Sequence, residues 1–509
     1  MSRLEAIAHR LDDRANPVVV KELRQAVQNR LVIAVLLLSL LINVIITSLA
    51  LTTDVNTLTN RASGQNLFSA LFVFLVGTCM VFVPLYAAIR LTMERNHANI
   101  DLLYITTISP SAIIRGKFWA AVALTGLIYS ASMPFLCFTY LLRGIDLPSI
   151  FIALAFSFLS TLFSIMTAIF VGSVSGGALL RILLALGLLY FGSIQTGLTV
   201  TVGMLFVSQG LAAYFSRTDA WTIAGMVLLL GITGFILFYL LAVASISAKS
   251  SNRMYPTRIF LTACWIGYGI LAGVWSWIES AQYPVMIWFM FSLISLSVIL
   301  GLILAERESW SPRIRRYIPR NTAFRFLAWL FYTGSAGGVI WILFLILSTM
   351  GFGWLGAQYF PAKTAYDPKF QELFPAMLLV TLFTWCYAMS GLFLRRIFAP
   401  ASSPILSVVL GVMLLGLLST IPLFIAYSLF GMRVRTYELP IAFIIMNPFV
   451  LVDWNVDRSP FMIFQAGWGA LMLVLSVPWF RMQWREFRRY DPEPVPEPVQ
   501  AQLVAEPSV

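Results

Sequence analysis

Apolar runs of about twenty residues, separated by short polar stretches, recur along nearly the whole chain. A helix rising about 1.5 Å per residue needs about that length to cross a hydrocarbon core of ~30 Å. Twelve spans are predicted, at about 31–53, 67–89, 118–142, 149–171, 179–208, 221–248, 259–278, 284–305, 326–350, 375–394, 406–430 and 462–479. The alternating strands of about ten residues that a membrane barrel needs are absent. The expected fold class is therefore an all-α polytopic membrane protein. The spans divide into two six-helix units, 31–248 and 259–480, joined by a basic link at 249–258. Residues 1–30 precede them, and a Pro/Glu-rich tail at 481–509 is expected to be disordered.

The polar interruptions carry the specific information. Ahead of the first span lies NPVVVKELRQAVQNR. Asn16 suits a helix cap, and Pro17 suits the first turn, where its missing N–H costs nothing. Val20, Leu23, Val27 and Leu31 fall on one stripe, with Lys21, Gln25 and Gln28 on another face. That pattern predicts an amphipathic helix lying in the headgroup plane.

The stretch 90–117 is one of the longest polar gaps, and in it Ile100, Leu103 and Tyr104 recur at helical spacing among Glu94, Arg95 and Asp101. A short helix is predicted over 94–105, broken at Thr106-Thr107. Ser109 then caps a new helix with Pro110 in its first turn, and that helix runs through Arg115 and Lys117 into the third span. A push on the turn between the two helices would move the span as a lever. The gap 306–325 is strongly basic, and both gaps open on an early Glu-Arg, Glu94-Arg95 and Glu306-Arg307. The layout is that of a diverged duplication. The longest gap on the opposite side is 351–374, and the apolar piece 441–452 is too short to cross, which suggests a re-entrant or interfacial segment.

Composition and charge fix the class and its orientation. Of 509 residues 59% are hydrophobic and 11% charged, and the mean hydropathy is +0.85. The net charge of +12 could suggest nucleic acid, but the basic residues are scattered along the gaps between spans. Eight of the 34 Lys and Arg (Arg61, Arg143, Arg217, Lys363, Lys369, Arg433, Arg435 and Arg458) fall on one side and all the others on the side of the N-terminus. The positive-inside rule then puts both termini in the cytoplasm of a multi-pass inner (plasma) membrane protein. Asp12, Asp13 and Glu22 ahead of the first span, with no cleavage site after it, argue against a signal peptide. Cys79, Cys137, Cys264 and Cys386 all lie inside apolar runs and read as small hydrophobes. With only His9 and His97, a His-based metal site is not expected, nor is a cofactor.

The spans hold almost no ionisable groups. Arg181 and Glu279 sit near span ends, and polar groups such as Asn43 and Gln195 suit contacts between helices. An ion-coupled carrier would place its ligands there, so that alternative is weakened. A polytopic enzyme acting on lipid-linked substrates is the other alternative. Its first outer loop offers only Asp54, and Asp367, Glu372, Asp453 and Asp457 form no clear pair. There is no Gly-rich phosphate loop ending in Lys-Ser/Thr, so any ATP hydrolysis belongs to another subunit and the chain is not expected to be an enzyme.

The segment 94–117 resembles the cytoplasmic loop of ABC-2-type ABC transporter permeases, whose pattern is close to ERE-x-GTLELLLLTPLSPxEILLGK. Glu94, Arg95, Asp101, Leu102, Leu103, Thr106, Ser109, Pro110, Ile113, Gly116 and Lys117 match in register. Asn96, Ala98, Asn99, Thr107 and Ala112 depart from it. NPVVVKELRQAVQNR is similar to the membrane-parallel elbow helix of such permeases, and MNPF at 446–449 to a piece that precedes their last span. The resemblance implies a permease subunit of an exporter, energised by a separate cytoplasmic ATPase dimer, with a second permease or a second copy completing the path. It implies ATPase contact through Glu94, Arg95, Asp101, Ser109, Pro110 and Lys117. It also implies an elbow built on Pro17 and Lys21 and anchored by Glu22 and Arg24.

Overall fold

A computed structural model describes residues 17–53, 61–96, 109–142, 145–174, 178–209, 216, 218–248, 250–360, 370–430, 438–452 and 457–490. Among these residues all regular structure is helical, and twelve helices are long and apolar enough to cross a membrane. The protein is an all-α polytopic membrane protein. It forms two compact units, residues 1–248 and 249–509.

In the first unit a short amphipathic helix, α1 (Pro17–Val27), precedes six long ones. These are α2 (Arg30–Thr53), α3 (Arg61–Asn96), α4 (Pro110–Leu141), α5 (Leu147–Ser173), α6 (Ala178–Gln209) and α7 (Thr218–Ile246). The core centres on α3 and α5, where Leu71, Phe72, Leu75, Val76 and Cys79 of α3 meet Ile150, Ala153 and Ile165 of α5. In lipid, helices gain little by hiding apolar surface from one another, so close backbone approach and polar contacts hold them. Gly172 of α5 lies so near α3 that a Cβ there would sit 2.7 Å from the Ala88 carbonyl oxygen. Asn43 of α2 donates to Ser132 Oγ of α4 at 3.1 Å. Gln195 of α6 donates to the Ser160 carbonyl of α5 at 2.9 Å and accepts from Ser164 Oγ at 3.2 Å.

The second unit holds α8 (Tyr255–Glu279), α9 (Tyr283–Leu304), a single turn α10 (Pro312–Arg315), α11 (Thr322–Phe331), α12 (Ser335–Tyr359), α13 (Phe370–Phe398), α14 (Ile405–Phe430), a single turn α15 (Ile441–Ile444), a 3-10 turn at Pro448–Val452 and α16 (Ser459–Glu486). The pairing of helices repeats between units. In the first, α3 packs on α4 and α5, and α5 on α6 and α7. In the second, α9 packs on α12 and α13, and α13 on α14 and α16. Two long spans, α13 and α14, approach closely by backbone: a Cβ on Gly391 would lie 2.3 Å from the Ser407 carbonyl oxygen and 2.6 Å from the Gly411 nitrogen. Backbone atoms cannot step aside as side chains can. Gly391→Val is expected to cost about 1–3 kcal/mol by overpacking, read as a lowered melting temperature in detergent. Gly416→Val on α14, where a Cβ meets nothing within 4 Å, serves as the neutral control.

Several boundaries differ from the sequence-based expectation. Glu94 and Arg95 do not begin a separate helix, because α3 runs unbroken to Asn96 and carries them in its last turn. The remainder of that expected helix, and the Thr106-Thr107 break, lie outside the described residues, as does Asn16. The expected ninth span at 326–350 is two elements, the amphipathic α11 and the span α12. The chain turns at Tyr332–Gly334 because buried Arg258 donates to the Leu330 and Tyr332 carbonyls at 2.7 Å and to that of Gly334 at 2.9 Å. Arg258 itself belongs to α8 rather than to a link. Of the expected loop 351–374, residues 351–359 are the last part of α12 and residues 370–374 the start of α13.

The tail expected from residue 481 is ordered as far as Tyr490. Helix α16 continues to Glu486, and Phe487 is fully buried against Trp310 and Tyr332. Arg315 binds the Glu486 and Arg488 carbonyls, and Arg325 stacks 4.1 Å over the Trp484 ring. Residues 491–509 lie outside the described part. The non-crossing piece 441–452 dips among its neighbours. Tyr387 of α13 bonds the Met446 carbonyl, Gln465 of α16 bonds that of Ile445, and Asn447 bonds that of Ser419 in α14.

Candidate functional site: a charged clamp at one end of the first unit

At one end of the first unit the end of α3, the start of α4 and the helix α1 converge. The convergence follows from local sequence. Ser109 caps α4 by accepting from Ala112 N at 3.3 Å, with Pro110 at the first helical position. Helix α4 then continues without interruption into its membrane-spanning part. Helix α1 lies against α4, made possible by Gly116, whose missing Cβ leaves room for the Val18 side chain.

Charged groups fill this junction. Lys117 of α4 is only 6% exposed, and its Nζ donates to Glu22 Oε1 of α1 at 2.8 Å. The same nitrogen lies 2.7 Å from Glu94 Oε2 of α3. Arg90 of α3 lies 3.9 Å from Glu22 Oε2, donates to Gln25 of α1 and sits 5.7 Å from the Tyr86 ring centroid. One ammonium thus bridges two carboxylates from two different helices. Burial raises the Glu22 carboxyl, but Lys117, Arg90 and Lys21 together pull it back further, so it sits below its ordinary value. Buried charges of this kind are tolerated only when paired. A cavity of about 20 Å³ beside the cluster is too small for anything but a water molecule.

The residues singled out by sequence therefore have distinct fates. Glu22, Glu94 and Lys117 come together, and Lys117 points inward rather than to a surface. Ser109 and Arg115 are exposed beside them, with Pro110 partly so. Lys21 and Arg24 are exposed on the outer face of α1. Of Pro17 and Arg95 only the backbone position is described, at the start of α1 and in the last turn of α3. Asp101 lies outside the described residues. Sequence reasoning missed Arg90 and Gln25. A signal existed for Arg90, four residues before Glu94 on one helix face.

The second unit has a counterpart. Glu306, just past α9, accepts from Arg258 Nη2 of α8 at 2.7 Å and from Gly334 N at the start of α12 at 2.8 Å. In each unit a glutamate at or just past the end of the second span is tied to the start of the third. Here the bond is wholly interior, Arg258 being 1% and Glu306 3% exposed. Glu308 and Arg395 of α13 form a further pair beside it.

None of these groups is arranged for acid–base or nucleophilic work, since each carboxylate is engaged by a cation. Among the described residues no three His, Cys, Asp or Glu side chains gather as metal ligands, and the four thiols are free. What the arrangement can do is mechanical: it ties α1, the end of α3 and the start of α4 to one another. No protein-family model, curated protein or solved structure matches the chain.

Proposed function

We propose that the protein is the membrane-spanning subunit of an ABC-2-type transporter, working as an exporter. It would be driven by a separate cytoplasmic ATPase that docks at the end of the first unit where residues 94–117 lie. The observation that carries this reading is the Lys117 bridge, which couples a capped helix start on α4 to α1 and α3. A partner pressing on the segment between α3 and α4 would move three helices as one body. The repeated helix pairing supports a chain carrying two permease-like units. The crowding of Lys and Arg at the ends shared with the N-terminus supports cytoplasmic termini in the plasma membrane.

The test is affinity purification of the full chain from its native membrane in mild detergent. A Walker-motif ATPase is expected to co-purify in stoichiometric amount. Asp101→Lys and Arg95→Glu are expected to weaken that association about tenfold or more, as loss of interfacial charge pairs does. Glu94→Lys is expected to do so as well, but it also opens the bridge to Lys117, so Asp101→Lys is the cleaner arm. Undiminished association in all three variants would move the docking site elsewhere. Transport by the chain alone in liposomes under a proton or sodium gradient would replace this reading with an ion-coupled carrier.

A further inference from the structure

The second unit holds an apolar groove that the clamp and the docking segment do not use. It has a volume of about 560 Å³ and lies between α8, α9 and α12, within the range of about 300–1,000 Å³ typical of ligand sites. Its origin is a splay between two parallel spans. Nearer the Arg258 end, α8 and α12 are fastened by two indole bonds, Trp341 Nε1 to Thr262 Oγ1 at 3.1 Å and Trp265 Nε1 to Thr349 Oγ1 at 2.9 Å. Beyond Trp265 the helices part. In the first unit α2 and α4, which hold the matching places, are instead joined near mid-span by Asn43 and Ser132.

Glycines make the trough. Gly269 lies against Trp288 and Gly356 against Val285, while a Cβ on Gly273 would meet nothing within 4 Å. Among the described residues, none that lines the groove is charged. Its open flank carries Ile266, Ile270 and Phe352, all exposed on the lipid-facing surface. At its far end Trp277 and Tyr359 are 78% and 81% exposed, in the last turns of their spans. Amphipathic rings at span ends mark the headgroup level. The groove therefore starts at the headgroups and runs inward along hydrocarbon.

We propose that this groove is a binding site for one acyl chain of a membrane phospholipid in the leaflet at the end of the second unit away from Arg258, with Trp277 and Tyr359 flanking the headgroup. A flexible chain suits an apolar trough open to the bilayer, and a lining without charged side chains argues against a charged ligand. The inference goes beyond the docking of an ATPase and does not depend on it.

The experiment uses the full chain in phosphatidylethanolamine vesicles doped with a phospholipid carrying a diazirine near the end of one acyl chain. After illumination, labelled peptides are mapped by mass spectrometry. Labelling is expected to concentrate on segments 266–277 and 352–360 over the equally lipid-facing residues Leu37 and Leu41 of α2. It should also saturate as the probe fraction rises. Gly273→Phe is expected to reduce groove labelling about tenfold, as loss of about 1.4 kcal/mol of binding would. Gly267→Phe, on the same helix in open space outside the groove, should leave it unchanged. Labelling that follows exposed area, rises without saturation, or survives Gly273→Phe would overturn the proposal, as would chain-to-chain cross-linking through Trp277.

Discussion

Replacing Arg258 by Met is expected to destabilise the second unit by about 3–5 kcal/mol, the cost of breaking a buried ion pair from one side. Arg258 holds Glu306 and three carbonyls at the turn between α11 and α12. Its removal leaves a carboxylate that is 3% exposed without its cation, and carbonyls that lipid cannot satisfy. The measurement is thermal unfolding of the purified chain in detergent, followed by fluorescence of its 15 tryptophans. Arg258→Lys should recover only part of the loss, since an ammonium cannot reproduce a guanidinium fork spread over four acceptors. Arg258→Met combined with Glu306→Gln should also recover part, because the unpaired charge is gone. Full stability in Arg258→Met alone would show that the turn is held by packing.

The second large effect concerns Lys117. Lys117→Met is expected to cost about 3 kcal/mol or more, since it strands Glu22 in a buried site with Arg90 as its nearest remaining partner, 3.9 Å away. The pH dependence should reverse sign. In the native protein the Glu22 carboxyl is held below its ordinary value. Its contribution is therefore complete above the ordinary Glu range near about 4.3 and is lost only as pH falls through the lowered value. Without Lys117, burial becomes the dominant influence and raises the carboxyl above that range. The folded variant then binds the proton more tightly than the unfolded chain does, so its stability falls as pH rises. Melting temperatures taken from pH 7 to pH 5 should therefore rise for the variant and stay level for the native protein. Glu22→Gln on top of Lys117→Met should remove the pH dependence and restore much of the stability. On the proposed reading, survival of the expected ATPase association in that double variant together with loss of transport would mean that the bridge transmits motion rather than forming the docking surface.

Some of this was legible in sequence, for reasons that are local. A span of about twenty apolar residues has to be a helix in lipid, because every backbone polar group must be satisfied within the segment. Ser109-Pro110 announces a helix start whatever lies around it, and the structure places the cap there. Val20, Leu23 and Val27 announce an amphipathic helix in the same way. The boundaries that differed depend on distant partners. Gly334 alone gives only a weak local hint of the break between α11 and α12; what fixes it is Arg258, more than seventy residues earlier, which takes the carbonyls a continuous helix would have used. Likewise the tail after 481 looks solvent-borne until Phe487 is seen between Trp310 and Tyr332.

Residues 94–117 show the division most clearly. Their sequence determined that a helix begins at Pro110 and runs into a span, and that charge collects before it. Only the tertiary structure decided that Lys117 turns inward to join Glu22 and Glu94, residues 95 and 23 positions away in the chain. Helical period and capping act within a few residues and can be read in order. Which buried cation meets which carboxylate is fixed by how separate helices pack, since each charge needs a partner once lipid and protein have displaced its water.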